Sequence, residues 1–236
     1  MHKAKIKAKI KEVFFSLQGE GPYLGTGHIF VRFDACNINC VYCDTQAKIN
    51  RKADKVKEYT VPQLTTRVLA LQKKNNAQFL SLTGGEPLLY VDFIKEFLKK
   101  IKQKKLLIYL ETNGILYADF AQIRELIDIV AMDVKLPSSG KHKSFWLEHE
   151  KFLKLCRGKN IFIKAIICLK TTIADIKKLT NLIARVDRNK ILILQPNSDD
   201  LSKELIKKMM MFKQIAQNKI KDVRIIPQMH KLIGVK

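Results

Sequence analysis

Residues 3–11 alternate lysine with alanine or isoleucine, a period of two that puts every apolar side chain on one face. That alternation predicts a half-exposed edge strand. The stretch Val13–Pro22 follows, and with Gly19, Gly21, Gly25 and Gly27 it predicts a tight loop that exposes backbone. A compact apolar run, His28–Phe33, predicts the next strand, and Lys48–Glu58 reads as a polar, lysine-rich connector. Thr60-Val-Pro-Gln63 has the form of a capping box, with proline early in the first turn. Val61, Leu64, Val68 and Leu71 continue it at helical spacing.

From Gln78 onward, apolar runs of strand length alternate with segments of helical period. Strands are expected near Gln78–Leu82, Leu106–Leu110, Ile129–Asp133, Ile161–Ile166, Lys190–Gln195 and Val223–Ile226. Helices are expected near Val91–Lys102, Ala118–Leu126, Phe145–Leu155, Ile173–Ala184 and Ser202–Gln217. This alternation predicts an α/β fold whose parallel sheet has right-handed crossovers. About six βα units follow from His28, too few to close an eight-stranded barrel. An open, partial (β/α)6 barrel with flanking helices is therefore expected, with its active site at the carboxyl ends of the strands.

Composition narrows the setting. A chain of 236 residues that is 47% hydrophobic can bury a substantial core, and one domain over 1–236 is expected. Lys164 and Lys170 cut the longest apolar runs, far short of the ~20 residues a membrane span needs. The amino terminus carries charge but no apolar signal region, so a cytoplasmic protein with reduced thiols is expected. A net charge of +22 has two readings, a phosphate-binding surface or lysines spread over solvated faces. Lysine far outnumbers arginine and is scattered over every segment, unlike the arginine-rich, aromatic-lined groove of a nucleic-acid reader. Direct nucleic-acid binding is thus not expected, although the field can steer small anions inward.

The chemistry concentrates in Cys36-Asn-Ile-Asn-Cys40-Val-Tyr-Cys43, just after the His28–Phe33 strand. Thiolates are the usual ligands of iron–sulfur clusters, and a four-iron cube normally takes four of them. Three without a near fourth leave one iron open. Zinc is the competing metal, but its structural sites want four protein ligands, and the closest histidine, His28, lies on the preceding strand. Three ordinary buried cysteines are the plain alternative. Cys156 and Cys168 are too few for a second cluster and read as buried apolar residues. Downstream, Thr83-Gly-Gly-Glu-Pro87 offers two glycines and a carboxylate, or a simple strand-to-helix turn. Glu111 at a strand end suits substrate contact or general acid–base work, or merely caps a turn.

The C-x3-C-x2-C spacing with Tyr42 before the last cysteine resembles the radical S-adenosylmethionine (SAM) superfamily. The resemblance implies a [4Fe-4S] cluster on Cys36, Cys40 and Cys43 whose open iron chelates SAM. Reduction then yields a 5′-deoxyadenosyl radical that removes a substrate hydrogen. It also implies cofactor contacts from Tyr42, Cys43, Asp44, Gly85, Glu86, Asp133, Val134, Lys135, Gln195, Pro196 and Asn197.

Ser16-Leu-Gln-Gly-Glu-Gly21 before the cysteines, Arg32 between them, and Pro227-Gln-Met-His230 near the end resemble the 7-carboxy-7-deazaguanine synthase family. That resemblance implies a pterin substrate held by Leu17, Gln18, Gly19, Glu20, Arg32, Thr83, His230 and Lys236. The amino-terminal residues to about 27 and the tail from about 222 would close over it. It further implies Mg²⁺ on Thr45, an electron donor such as flavodoxin or ferredoxin, and a homodimer. The product would be 7-carboxy-7-deazaguanine, formed with loss of ammonia in queuosine and deazapurine biosynthesis. Two rivals differ in class. A glycyl-radical-enzyme activase shares the cluster motif but has no use for Leu17–Glu20. A basic RNA-binding module accounts for the charge and leaves the cysteines idle.

Overall fold

The structure is a computed structural model describing residues 6–43, 56–101, 105–229 and 234. The strands are β1 (Lys7–Leu17), β2 (Gly27–Phe33), β3 (Lys57–Thr60), β4 (Phe79–Gly84), β5 (Leu107–Thr112), β6 (Ile129–Asp133), β7 (Asn160–Ile167), β8 (Ile191–Pro196) and β9 (Val223–Ile225). The helices are α1 (Val61–Asn75), α2 (Val91–Ile101), α3 (Tyr117–Ile123), α4 (Pro137–Gly140), α5 (Trp146–Leu155), α6 (Ile173–Asp187) and α7 (Lys203–Gln217). One sheet runs in the order β3-β1-β2-β4-β5-β6-β7-β8-β9. Strands β2 and β4 to β9 are parallel, and β1 is antiparallel to both neighbours. The sheet does not close on itself, because β3 and β9 end it.

Two expectations need correction. The lysine-alternating segment is not an edge: β3 pairs outside it, Lys7 opposite Thr60 and Ile10 opposite Lys57. The alternation itself holds, with Ala8 and Ile10 buried and Lys7 and Lys9 exposed. The end of the supposed connector is that missing partner, invisible because a short strand with exposed side chains carries no apolar period. In addition, β1 runs on to Leu17 through an irregularity between Ile10 and Glu12, so the glycine loop starts later than Val13.

The strand period of two divides the sheet into two faces. Ile29, Val31, Leu80, Leu82, Leu110, Val130, Met132, Ile163, Ala165, Leu192 and Leu194 turn to the helices and form the main core. Helix α1 starts where Thr60 N–H donates to Gln63 Oε1 at 2.9 Å, and it buries Val61, Leu64 and Val68 against that core. The other face carries a smaller cluster, Tyr109, Ile129, Ala131, Phe162 and Ile193. Tyr23 packs edge-on against Tyr109 there, with ring centres 5.6 Å apart. Gly21 lets the loop lie flat on this floor: its φ is +70°, and a Cβ would stand 2.7 Å from Phe162. His28 belongs to the floor too. Its nitrogens meet Thr26 Oγ1 at 2.8 Å and Ser81 Oγ at 2.6 Å, and burial pushes its pKa down to about 4.

Candidate active site

Above this floor, toward the carboxyl ends of the strands, the inward residues become polar. The change follows from register: Tyr109 gives way to Glu111, Ala131 to Asp133, Phe162 to Lys164, and Ile193 to Gln195. They surround a cavity of about 360 Å³.

Cys36, Cys40 and Cys43 line one wall. Their loop is pinned from below. Gly85 N–H donates to Phe33 O at 3.0 Å and Glu86 N–H to Ala35 O at 2.7 Å. The approach is so close that a Cβ on Gly85 would lie 2.0 Å from Ala35 O, and Gly84 adopts a φ of +110°. The glycines thus bring the strand end against the protein's own cysteine loop. Glu86 is completely buried and is not among the residues that line the cavity. Its carboxylate accepts from Leu88 N–H at 3.1 Å, Thr112 Oγ1 at 2.9 Å and Asn113 N–H at 2.8 Å. Burial pushes its pKa up to about 7, against the pull of those donors. Asn113 then reaches the cysteine loop directly, its Nδ2 donating to Asn37 Oδ1 at 2.7 Å.

The second wall is a chain of alternating charges. Lys135 stands 2.9 Å from Asp133 and 5.5 Å over the Tyr42 ring. Asp133 is 3.5 Å from Lys164, which pairs in turn with Glu20. Burial disfavours both ammonium groups, but Asp133 beside Lys135 and Glu20 beside Lys164 hold them above the usual lysine range. Glu20 Oε1 also accepts from Gln195 Nε2 at 3.2 Å and Gln228 Nε2 at 2.8 Å. Buried Asp133 Oδ1 and Gln195 Oε1 have no hydrogen-bond partner among the described residues, an arrangement that suits a ligand with donor groups.

The third wall holds Gln18, Thr83, Glu111 and Arg32. Glu111 accepts from Gln18 Nε2 at 3.0 Å and Thr83 Oγ1 at 2.6 Å. Burial first, then the charge of Glu20, raises its pKa above the usual carboxylate range. Arg32 donates through Nη1 to Glu12 at 2.6 Å and lies 5.2 Å over the Phe14 ring.

The chemistry of the cysteine wall suits an iron–sulfur cluster. Three thiols line it, which is the donor set a cluster with one open iron requires. They act on one another electrostatically, since Cys43 raises both Cys36 and Cys40. Burial raises those two thiols most, and Lys135 pulls each toward the thiolate that binds metal. The sulfurs are not yet gathered onto one point: no three His, Cys, Asp or Glu side chains among the described residues stand at metal-holding distance. His28, the histidine closest in sequence, has both nitrogens engaged elsewhere. The donor set therefore fits the cluster better than zinc.

The fold and this wall define a radical SAM protein: residues 30–183 match the family model of the radical SAM superfamily. Curated relatives narrow the class. The chain is 33% identical to a 7-carboxy-7-deazaguanine synthase of Geobacter sulfurreducens, over 98% of this chain and 99% of the relative. It is 34% identical to the enzyme of that name from Methanothermobacter thermautotrophicus, again over 98% and 99%. The crystal structure of QueE from Escherichia coli superposes with a TM-score of 0.62 at 23% identity, covering 95% of each chain. This chain belongs to the 7-carboxy-7-deazaguanine synthase family of radical SAM enzymes. These relatives favour neither the activase nor the RNA-binding alternative.

Most expected site residues share the one cavity: Leu17, Gln18, Gly19, Glu20, Arg32, Tyr42, Thr83, Gly85, Glu111, Asp133, Lys135, Gln195 and Asn197 line it with the cysteines. Three expected cofactor contacts do not. Glu86 is spent on the protein's own amides, Val134 sits in the helix-side core, and Pro196 lies off the lining. Asp44, Thr45, His230 and Lys236 lie outside the described residues. Cys156 and Cys168 are buried. Lys164, Asn113 and Gln228 were missed. Lys164 had one available signal, an inward position two residues from Phe162 on a buried strand.

Proposed function

We propose that this chain converts 6-carboxy-5,6,7,8-tetrahydropterin to 7-carboxy-7-deazaguanine with loss of one ammonia, as a radical SAM carbon–nitrogen lyase of queuosine and deazapurine biosynthesis. One observation supports the reading above all others. The cysteines and the Gln18–Glu20–Thr83–Glu111 group line a single cavity, so a radical formed at the first and a substrate held by the second would share one space.

Cys36, Cys40 and Cys43 would hold a [4Fe-4S] cluster, which would supply the electron for reductive cleavage of SAM and with it the means to remove hydrogen from C6 of the pterin. The protein's own part is to bind, orient and exclude water. Arg32 offers a guanidinium suited to a substrate carboxylate. Glu111, its pKa raised by burial, holds a proton more readily than a surface carboxylate and can pass it to the departing nitrogen. Asp133, Lys135 and Gly85, which line the same cavity as the cysteines, are assigned to SAM.

Mg²⁺ is proposed at Thr45. Magnesium takes few protein oxygens and completes its shell with water and substrate, so one hydroxyl suffices where the substrate also chelates. Reductive cleavage calls for a one-electron donor, proposed to be a flavodoxin or ferredoxin, and a symmetric homodimer is the proposed assembly. Among the described residues no helix is long and apolar enough to cross a membrane.

Anaerobic turnover of the reconstituted, reduced protein tests the reading. Product and ammonia in equal amounts are expected, with loss of both when Cys40 becomes alanine and a lower rate when Mg²⁺ is withheld. Deoxyadenosine formed beside untouched pterin contradicts the substrate. A colourless sample after reconstitution contradicts the class.

A further inference from the structure

Three carboxylates approach one another in this cavity, Glu20 from the glycine loop, Glu111 from β5 and Asp133 from β6. Crowding like charges in a buried space is unfavourable unless a cation sits among them. Lys164 is that cation. It projects from the middle of β7, pairs with Glu20, stands 3.5 Å from Asp133, and pulls the Glu111 carboxyl down through its charge. Lys135 is committed to the far side of Asp133 at 2.9 Å. Glu20 in turn is the meeting point of segments far apart in sequence. Gln195 of β8 and Gln228 of the carboxyl-terminal tail both donate to its Oε1, and Met229 N–H donates to Gly19 O at 3.0 Å.

Resting on the substrate reading above, we propose that Lys164 is a positioning residue for the pterin. By fixing Glu20 as a paired anion it holds the glycine loop and the 227–229 tail segment together around the substrate. The role is distinct from a structural pin in the core, because the lysine lines the cavity and its partners come from the loop and tail that border it.

The test is equilibrium binding of 6-carboxypterin, a stable fluorescent analogue, to the full reconstituted chain. It is joined to the ratio of deoxyadenosine to deazaguanine product in turnover with the tetrahydropterin. Lys164→Met is expected to weaken analogue binding at least tenfold and to raise that ratio, with KM for the pterin rising more than kcat falls. Lys164→Arg is expected to recover most of the binding. Because Lys164→Met leaves Glu20 without this cation, the double variant Lys164→Met, Glu20→Gln serves as the second arm. Removing both charges is expected to cost no more than Glu20→Gln alone, since the lysine acts through the glutamate.

Wild-type binding by Lys164→Met, or losses that multiply in the double variant, overturn the inference and leave the substrate reading standing. Failure of the wild-type protein to bind the analogue overturns the substrate reading itself, and the inference falls with it.

Discussion

Glu86 separates what a motif suggests from what a side chain does. As part of Thr83-Gly-Gly-Glu-Pro87 it was expected at the cofactor, yet its oxygens are filled by Leu88, Thr112 and Asn113. It joins the end of β4 to the end of β5, and through Asn113 it reaches the cysteine loop. Its pKa rises on folding from 4.5 to about 7, so the folded chain binds the extra proton and its contribution to stability falls as pH rises through that window. Glu86→Gln is expected to cost ~1–3 kcal/mol in urea unfolding, because an amide nitrogen then faces buried donors. The gap to wild type should be widest below pH 4.5 and narrow toward pH 7. A gap that does not change with pH contradicts the assignment. Lys164 shows the opposite limit: in sequence it only interrupts an apolar run, and its role depends on Glu20, 144 residues away.

At the scale of elements, periodicity was a good guide wherever one face is buried. The bounds expected for α2, α5, α6 and α7 fall within a few residues of those observed, since each helix has an apolar stripe against the sheet. The short strand β3 escaped notice because its identity lies in pairing with β1, and pairing leaves no local mark on exposed residues. The glycines of the Gly84–Gly85 turn were legible as a close approach, but not what they approach. Gly85→Ala tests this directly. Its Cβ meets backbone that cannot rotate aside, so a loss of ~1–3 kcal/mol is expected. Less iron per chain should accompany it, because Ala35 leads into Cys36. Normal iron content in a destabilised variant would falsify the link between this turn and the cysteine loop.

For the molecule as a whole, the open sheet leaves a concave face that loop and tail must cover. The far ends of the sequence do meet there, Gln228 bridging Glu20 at 2.8 Å and Ser198 at 2.7 Å. Gln228→Ala should raise KM for the pterin about tenfold, equivalent to ~1.4 kcal/mol of lost hydrogen bonding, with little change in melting temperature. A lowered melting temperature at unchanged KM contradicts a role in closing the site. The net charge of +22 belongs to this scale as well, and Lys135 and Lys164, half-buried in the cavity wall, account for only a small part of it.

All of this depends on a radical made at the cysteine wall reaching a pterin at the Glu111 wall. The most direct measurement is isotope transfer, using 6-carboxytetrahydropterin deuterated at C6 in anaerobic turnover with SAM. Deuterium in the recovered 5′-deoxyadenosine, in step with deazaguanine formation, is the predicted result. Deoxyadenosine free of deuterium, with the label still on the pterin, contradicts the account.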